Sequence, residues 1–129
     1  MTPSPLAAAD PIVERWHDLM TVHARAHCAL EKALAAHDLG VSEFEVLDRL
    51  AGAAHGKRRM QELAEAVHLS QSALSRVVGR LENDGLVTRA ICTDDRRGIW
   101  AMITDAGRER HAAAQACHRE TLAGVLGAP

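Results

Sequence analysis

The sequence predicts a mainly α-helical fold with one small β-hairpin, and three observations predict it. Apolar residues recur at spacings of three and four over most of the chain. The period shortens to two in only two short stretches, 86–92 and 99–103. Two short helical patterns, 61–67 and 71–84, follow one another through Leu69-Ser70. So tight a connection does not allow antiparallel neighbours; such helices cross steeply, as in a helix-turn-helix. The 129 residues, 47% hydrophobic and 25% charged, suit a single soluble domain over 1–129. A chain of that length buries roughly 65–70% of its unfolded surface, so no disulfide or metal staple is required.

Each element has its own signal. Asp10-Pro11 starts a helix, an N-cap acceptor followed by proline at the first helical position. From there Ile12, Trp16, Leu19, Met20, His23, His27, Leu30 and Leu34 mark one stripe of a helix over about 11–36. Gly40 ends the connection. Ser42-Glu43-Phe44-Glu45 has the capping-box pattern, which starts a second helix near Glu43 with Phe44, Leu47, Leu50 and Ala51 inward. Gly52 to Gly56 reads as a loop. The 61–67 helix turns Leu63, Ala64 and Val67 inward, and Ser70 caps the 71–84 helix, which buries Leu74, Val77, Val78 and Leu81. Gly85 stands where a left-handed C-terminal cap is expected. The strand pattern follows, with Ile99, Ala101 and Ile103 on one face and Trp100 and Met102 on the other. Thr93-Asp94-Asp95-Arg96-Arg97-Gly98 makes a charged hairpin tip, and Thr104 caps a last, alanine-rich helix over about 105–126.

The formal net charge of −2 hides an uneven distribution. Residues 1–56 hold four basic against eight acidic side chains, residues 57–98 eight against six, and residues 99–129 three of each. The basic excess is confined to the middle third, and it carries meaning if those arginines share a surface. On the 71–84 helix, Gln71, Ser72, Ser75, Arg76 and Gly79 are left outward once the apolar stripe faces the core. Small polar residues at a helix start allow close approach to a major groove, and glutamine and arginine can bond base edges. The free N–H groups of the first turn can bond a phosphate. Arg96 and Arg97 at the hairpin tip suit a narrow minor groove, where negative potential is strongest. Asp95 is close enough to hold an arginine in one rotamer. The competing reading is ordinary solvated polarity; the steep helix pair and the charged hairpin together weigh against it.

The stretch Met60-Gln61-Glu62-Leu63-Ala64-Glu65-Ala66-Val67-His68-Leu69-Ser70-Gln71-Ser72-Ala73-Leu74-Ser75-Arg76 closely resembles the helix-turn-helix of the MarR family, as do Leu81-Glu82-Asn83-Asp84-Gly85-Leu86-Val87, Asp95-Arg96-Arg97 and Ile103-Thr104-Asp105-Ala106-Gly107. The resemblance runs from about residue 11 to 126. It implies a winged helix-turn-helix transcriptional regulator, acting as a homodimer on a palindromic double-stranded operator. The core over about 43–103 would bind DNA, and the helices over about 11–36 and 105–126 would dimerise. The DNA contacts it implies are Ser70, Gln71, Ser72, Ser75 and Arg76 toward the major groove, Arg80 further along the same helix, and Arg96 and Arg97 at the wing, with Asp95 in support. The sequence departs from the family pattern at Gln61, where a stronger N-cap such as serine is usual, and at His68, where the turn often has glycine. Family members also continue into a further helix that completes the dimer. This sequence stops at Pro129, as a short member or with its end missing.

The expected output is repression relieved by a small-molecule effector, held in a pocket among Trp16, His23, His27, Asp48 and the wing base. A metal- or redox-responsive sensor is the alternative. His23 and His27, four residues apart, have metal-ligand spacing, with His111, Cys117 and His118 on the last helix, and Cys28 is a candidate thiol switch. A third reading keeps the fold but binds protein. No nucleophile–base pair, glycine-rich phosphate loop or supported carboxylate pair suggests an enzyme, and neither cofactor nor resident metal is expected. No apolar run approaches the ~18 residues of a membrane span. The first ten residues lack a signal-peptide pattern, and Cys28, Cys92 and Cys117 do not form a disulfide framework, so a cytoplasmic protein is expected.

Overall fold

A computed structural model of the chain describes residues 10–91 and 98–127. Five helices and a three-stranded sheet make up this region: α1 Pro11–Ala35, α2 Val41–Ala51, β1 Lys57–Arg59, α3 Met60–Val67, α4 Gln71–Asn83, β2 Val87–Ile91, β3 Ile99–Ile103 and α5 Asp105–Leu126. The strand order is β1-β3-β2, antiparallel throughout. The β2–β3 pair is the expected hairpin, with Val87 opposite Ile103 and Ile91 opposite Ile99.

The third strand corrects the sequence reading. Gly52 to Gly56 is partly loop, but it closes in a single 310 turn at Ala54–Gly56 and delivers Lys57–Arg59 onto the free edge of β3. Arg58 pairs with Ala101 and Arg59 with Trp100. Three consecutive cations carry no strand signal of their own. Their pairing with a strand more than forty residues away makes them one.

Local capping placed most of the other boundaries. Asp10 accepts the Ile12 N–H at 2.8 Å, Ser70 accepts the Ala73 N–H at 3.1 Å, and Thr104 accepts the Gly107 N–H at 3.0 Å. His68 takes the left-handed conformation that ends α3 (φ 58°, ψ 42°), and Gly85 does the same after α4 (φ 74°). Both turns close in the same way: Leu69 N–H reaches the Ala64 carbonyl at 3.0 Å and Leu86 N–H the Leu81 carbonyl at 2.9 Å. Two caps lie elsewhere than expected. α2 starts at Val41, and Glu43 reaches back to the Gly40 N–H at 2.9 Å; Ser42 is inside the helix. Gln61 is not a cap either, because α3 begins at Met60 after Arg59.

The core gathers Leu30, Leu34, Phe44, Val46, Leu47, Leu50, Leu63, Leu74, Val78, Leu81, Leu86, Val87, Ala101, Ile103 and Ala114. α5 packs along the second half of α1 and on α2, and α2 also touches α3, α4 and β3. The first half of α1 is different. Among the described residues none from 11 to 29 is buried. Ile12, Trp16, Leu19 and Met20 are 51–76% exposed.

Candidate nucleic-acid interface

The tight turn through His68 and Leu69 sets α4 across α3, with the capped first turn of α4 at the surface. Leu74, Val77, Val78 and Leu81 anchor its inner face. Ser72, Arg76 and Arg80, spaced by four, share one exposed stripe, and Gln71 is exposed beside them. Ser70 is also exposed, but its hydroxyl is engaged, accepting from Ala73 and lying 3.3 Å from the Ser72 hydroxyl.

Ser75 does not sit as expected. It lies on a neighbouring stripe with Gly79 and Glu82, half-buried and turned toward Arg89 of β2. Arg89 donates from Nε to the Glu82 carboxylate at 2.7 Å, from Nη1 to the Ser75 hydroxyl at 3.2 Å, and from Nη2 to the Ser75 carbonyl at 2.7 Å. A free outward hydroxyl at Ser75 is thereby replaced by a bonded one. Periodicity alone could not find this, because Arg89 stands fourteen residues further on, on another element.

The wing tip expected at Asp95, Arg96 and Arg97 lies outside the described residues, as does Cys92. The strands that carry it are described, and Ile91 and Ile99 pair at its base, 75% and 48% exposed. The outward sheet face holds a feature the sequence reading missed. Lys57 Nζ lies 5.1 Å and the Arg59 guanidinium 5.5 Å from the centre of the Trp100 ring. Its signal in the sequence is the run Lys57-Arg58-Arg59, which by itself shows charge alone. Arg58 Nε and Trp100 Nε1 are buried without a hydrogen-bond partner among the described residues.

The residues expected around an effector divide between two cavities. His23 and His27 line one of about 470 Å³ with Leu30, Glu45, His68 and His118. Asp48 lines a neighbouring one of about 500 Å³ with Phe44, Arg119 and Leu126. Trp16 lines neither; it sits 59% exposed on the uncovered half of α1. The wing base contributes to neither cavity. Asp48 instead accepts from the buried His111 at 2.8 Å. The Phe44 ring stacks on His111 and His118, with centroids 5.3 and 4.1 Å away, and His118 lines both cavities. The metal reading loses His111 to Asp48, and among the described residues no group of three or more His, Cys, Asp or Glu is arranged to hold a metal ion. Cys28 is exposed, and the Cys117 thiol lies 3.7 Å from the Ala33 carbonyl. No helix among the described residues is long and apolar enough to cross a membrane.

Comparison with known proteins agrees with this architecture. A model of the MarR family matches residues 37–98. The structure is similar to AbsC, a MarR family transcriptional regulator from Streptomyces coelicolor, with a TM-score of 0.83 and 30% identity over 92% of this chain and 80% of that one. It is similar to Sco3205 from the same organism, a MarR family regulator solved in complex with DNA, with a TM-score of 0.83 and 28% identity over 95% of this chain and 77% of that one. It is also similar to CouR from Rhodococcus jostii RHA1, solved bound to p-coumaroyl-CoA, with a TM-score of 0.81 and 26% identity over 95% of this chain and 85% of that one. Curated relatives that it matches include four HTH-type transcriptional regulators of Bacillus subtilis, and the chain spans between 34% and 64% of their lengths. With α3 and α4 set as a helix-turn-helix beside a three-stranded wing, and with these similarities, the chain belongs to the MarR family of transcriptional regulators.

Proposed function

We propose that the chain binds double-stranded DNA as a homodimer on a palindromic operator, represses transcription there, and is released by a small-molecule effector. The observation that carries this reading is the exposed stripe of Ser72, Arg76 and Arg80 with Gln71 beside the capped start of α4. Such a stripe presents arginine and amide groups to base edges, and the free N–H groups of the first turn face a phosphate. The described wing strands lead directly to Asp95, Arg96 and Arg97, which supply a minor-groove contact in this reading. The DNA complex of the similar Sco3205 supports it.

The dimer is supported by the apolar stripe of α1. A helix of 25 residues is about 37 Å long, and more than half of it carries Trp16, Leu19 and Met20 into solvent. Leu126 of α5 is 61% exposed as well. A second copy covers these faces, so 11–35 and 105–126 dimerise while 41–103 reads DNA. Two-fold symmetry then places the two α4 helices on half-sites about 34 Å apart. The effector reading rests on the two cavities between the dimerising helices and the reading head. The similar CouR, solved bound to p-coumaroyl-CoA, supports a small-molecule ligand for this fold. His23, His27 and Asp48 keep their place in that reading. Trp16 moves to the dimer interface.

Selection of bound duplexes from a random pool tests the proposal. The expected product is a palindrome, and Arg76→Ala and Arg97→Ala each weaken its binding by ~1–3 kcal/mol at matched salt. Recovery of no preferred duplex, or of an asymmetric one bound by a monomer, refutes it.

A further inference from the structure

We propose that Arg89 is a positioning residue that locks the wing to the reading helix, so that α4 and the hairpin meet DNA as one rigid body; this rests on the DNA-binding reading above. Arg89 lies in the middle of β2, opposite the fully buried Ala101 of the central strand. The small alanine leaves the arginine stem room to cross toward α4. Its guanidinium then makes three bonds to that one helix, to the Glu82 carboxylate and to the hydroxyl and carbonyl of Ser75. Ser75, Gly79 and Glu82 form the stripe that receives it. A Cβ built at Gly79 would lie 3.6 Å from Arg89 Nη2, an ordinary contact distance, so the guanidinium rests directly against this stripe of α4.

The bond to the Ser75 carbonyl is decisive for the function. It grips the backbone of α4 one residue before Arg76 and three after Ser72, both on the exposed stripe. A shift of the wing strand is therefore a shift of the reading residues. Only an arginine can do this. Its planar fork offers donors in three directions, whereas a lysine at the same place keeps the charge and loses the geometry. Glu82 neutralises the guanidinium at 2.7 Å, so Arg89 contributes as a brace and not as a phosphate contact. Ser75 belongs to the brace and does not read bases.

The test compares the selected operator with a shuffled duplex, by fluorescence anisotropy over a salt series, for the full chain and its Arg89→Met, Arg89→Lys, Glu82→Gln and Ser75→Ala variants. Urea titration checks that each variant folds. Arg89→Met is expected to weaken operator binding about tenfold or more, the scale of a lost charge-assisted bond. Binding of the shuffled duplex, which depends on phosphate contacts alone, should fall less than about threefold. Arg89→Lys should fall in the same direction despite its retained charge. Ser75→Ala should leave the base preference unchanged at every operator position. A purely structural role would lower both affinities together, in step with the folded fraction. An unchanged ratio of operator to shuffled affinity in folded Arg89→Met overturns the brace, and so does a relaxed preference at one position in Ser75→Ala. If Arg89→Met does not fold, Arg89→Lys and Glu82→Gln decide by the same ratio. If the unaltered chain prefers no duplex, the DNA-binding reading fails first and the brace falls with it.

Discussion

Replacing Gly107 by alanine sets two known effects against each other. Gly107 lies in the first turn of α5, buried, with an ordinary helical backbone. Helix propensity alone says that alanine should stabilise the helix, by ~0.8–1.0 kcal/mol. The surroundings say otherwise. A Cβ at this position would fall well inside contact with the Leu86 carbonyl oxygen, 2.8 Å from Ile103 Cγ1 and 3.1 Å from the Leu86 carbonyl carbon. A side chain could swing aside, but this is backbone. The Leu86 carbonyl also accepts the Thr104 N–H at 3.0 Å, the bond that fixes the entry to α5. Relieving the clash means moving α5 away from β2 or giving up that bond. Overpacking of this kind costs ~1–3 kcal/mol, and a lost backbone hydrogen bond adds ~1 kcal/mol. The net expectation after the propensity gain is a loss of ~1–3 kcal/mol. With an m-value of ~2 kcal/mol/M for urea, a 2 kcal/mol loss lowers the unfolding midpoint by about 1 M. Equilibrium urea titration at one fixed protein concentration measures it, since the proposed dimerisation would make stability concentration-dependent. Gly124→Ala on the same helix is the control. Its Cβ meets nothing within 4 Å, so propensity should prevail, with a gain of up to ~0.8 kcal/mol. A Gly107→Ala midpoint equal to or above that of the unaltered chain would show that α5 is not seated on Leu86 as described.

Substitutions at three further positions probe other parts of the structure. Ser70→Ala removes the acceptor for the Ala73 N–H and should cost ~1 kcal/mol of stability by the same urea assay; no change would mean that the first turn of α4 is capped by something else. Asp48→Ala strands the buried His111 ring nitrogen, with an expected loss of ~1–3 kcal/mol, and an Asp48→Asn variant should recover part of it because an amide can still bond the ring. Leu19→Asp places a charge on the exposed stripe of α1, where Leu19 is 63% exposed. Sedimentation velocity should show more monomer at equal concentration with helical content retained, and an unshifted dimer would place the interface elsewhere.

What could be read from the sequence was what is decided within a few residues. Asp10 before Pro11, Ser70, Gly85 and Thr104 each act through their own side chain or φ angle on the adjacent turn, and each lies where sequence logic places it. The left-handed turn at His68 was foreseeable on the same ground. Features that depend on distant partners were not legible. β1 is a strand only because β3 offers it an edge. Ser75 is turned aside only because Arg89 returns on β2. Even the capping box near α2 was misplaced by two residues, since Gly40 to Glu43 has the same spacing as Ser42 to Glu45, and it is Glu43 that bonds the N-cap N–H. The apolar period of α1 marks one stripe, of which Leu30 and Leu34 are buried in this chain, but a period cannot say whether the exposed remainder is covered by the same chain or by another. The effector residues share helices and chemistry in the sequence, and the packing separates them, with His118, stacked on Phe44, lining both cavities.

That division bears on how an effector could act in the proposed function. α2 is the element through which the dimerising helices meet the reading head: it packs on α1 and α5 on one side and on α3, α4 and β3 on the other. Phe44, the single phenylalanine of the chain, stands on α2 against His111 and His118 of α5. The cavity lined by His23 and His27 also reaches His68, the left-handed residue that sets the angle between α3 and α4. A ligand there touches α1, α5 and the turn before the reading helix at once. Cavities of about 500 and 470 Å³ fall in the usual ~300–1,000 Å³ range for small-molecule sites. Contact alone would not release DNA, because a ligand that binds both arrangements equally shifts nothing. Turning a population from 99:1 to 1:99 needs a preference of about 10⁴-fold, or ~5.5 kcal/mol. A well-packed core changes by switching between discrete arrangements and does not stretch smoothly, so in the proposed function an effector would have to fit the cavity better after His118 or His68 has moved than before.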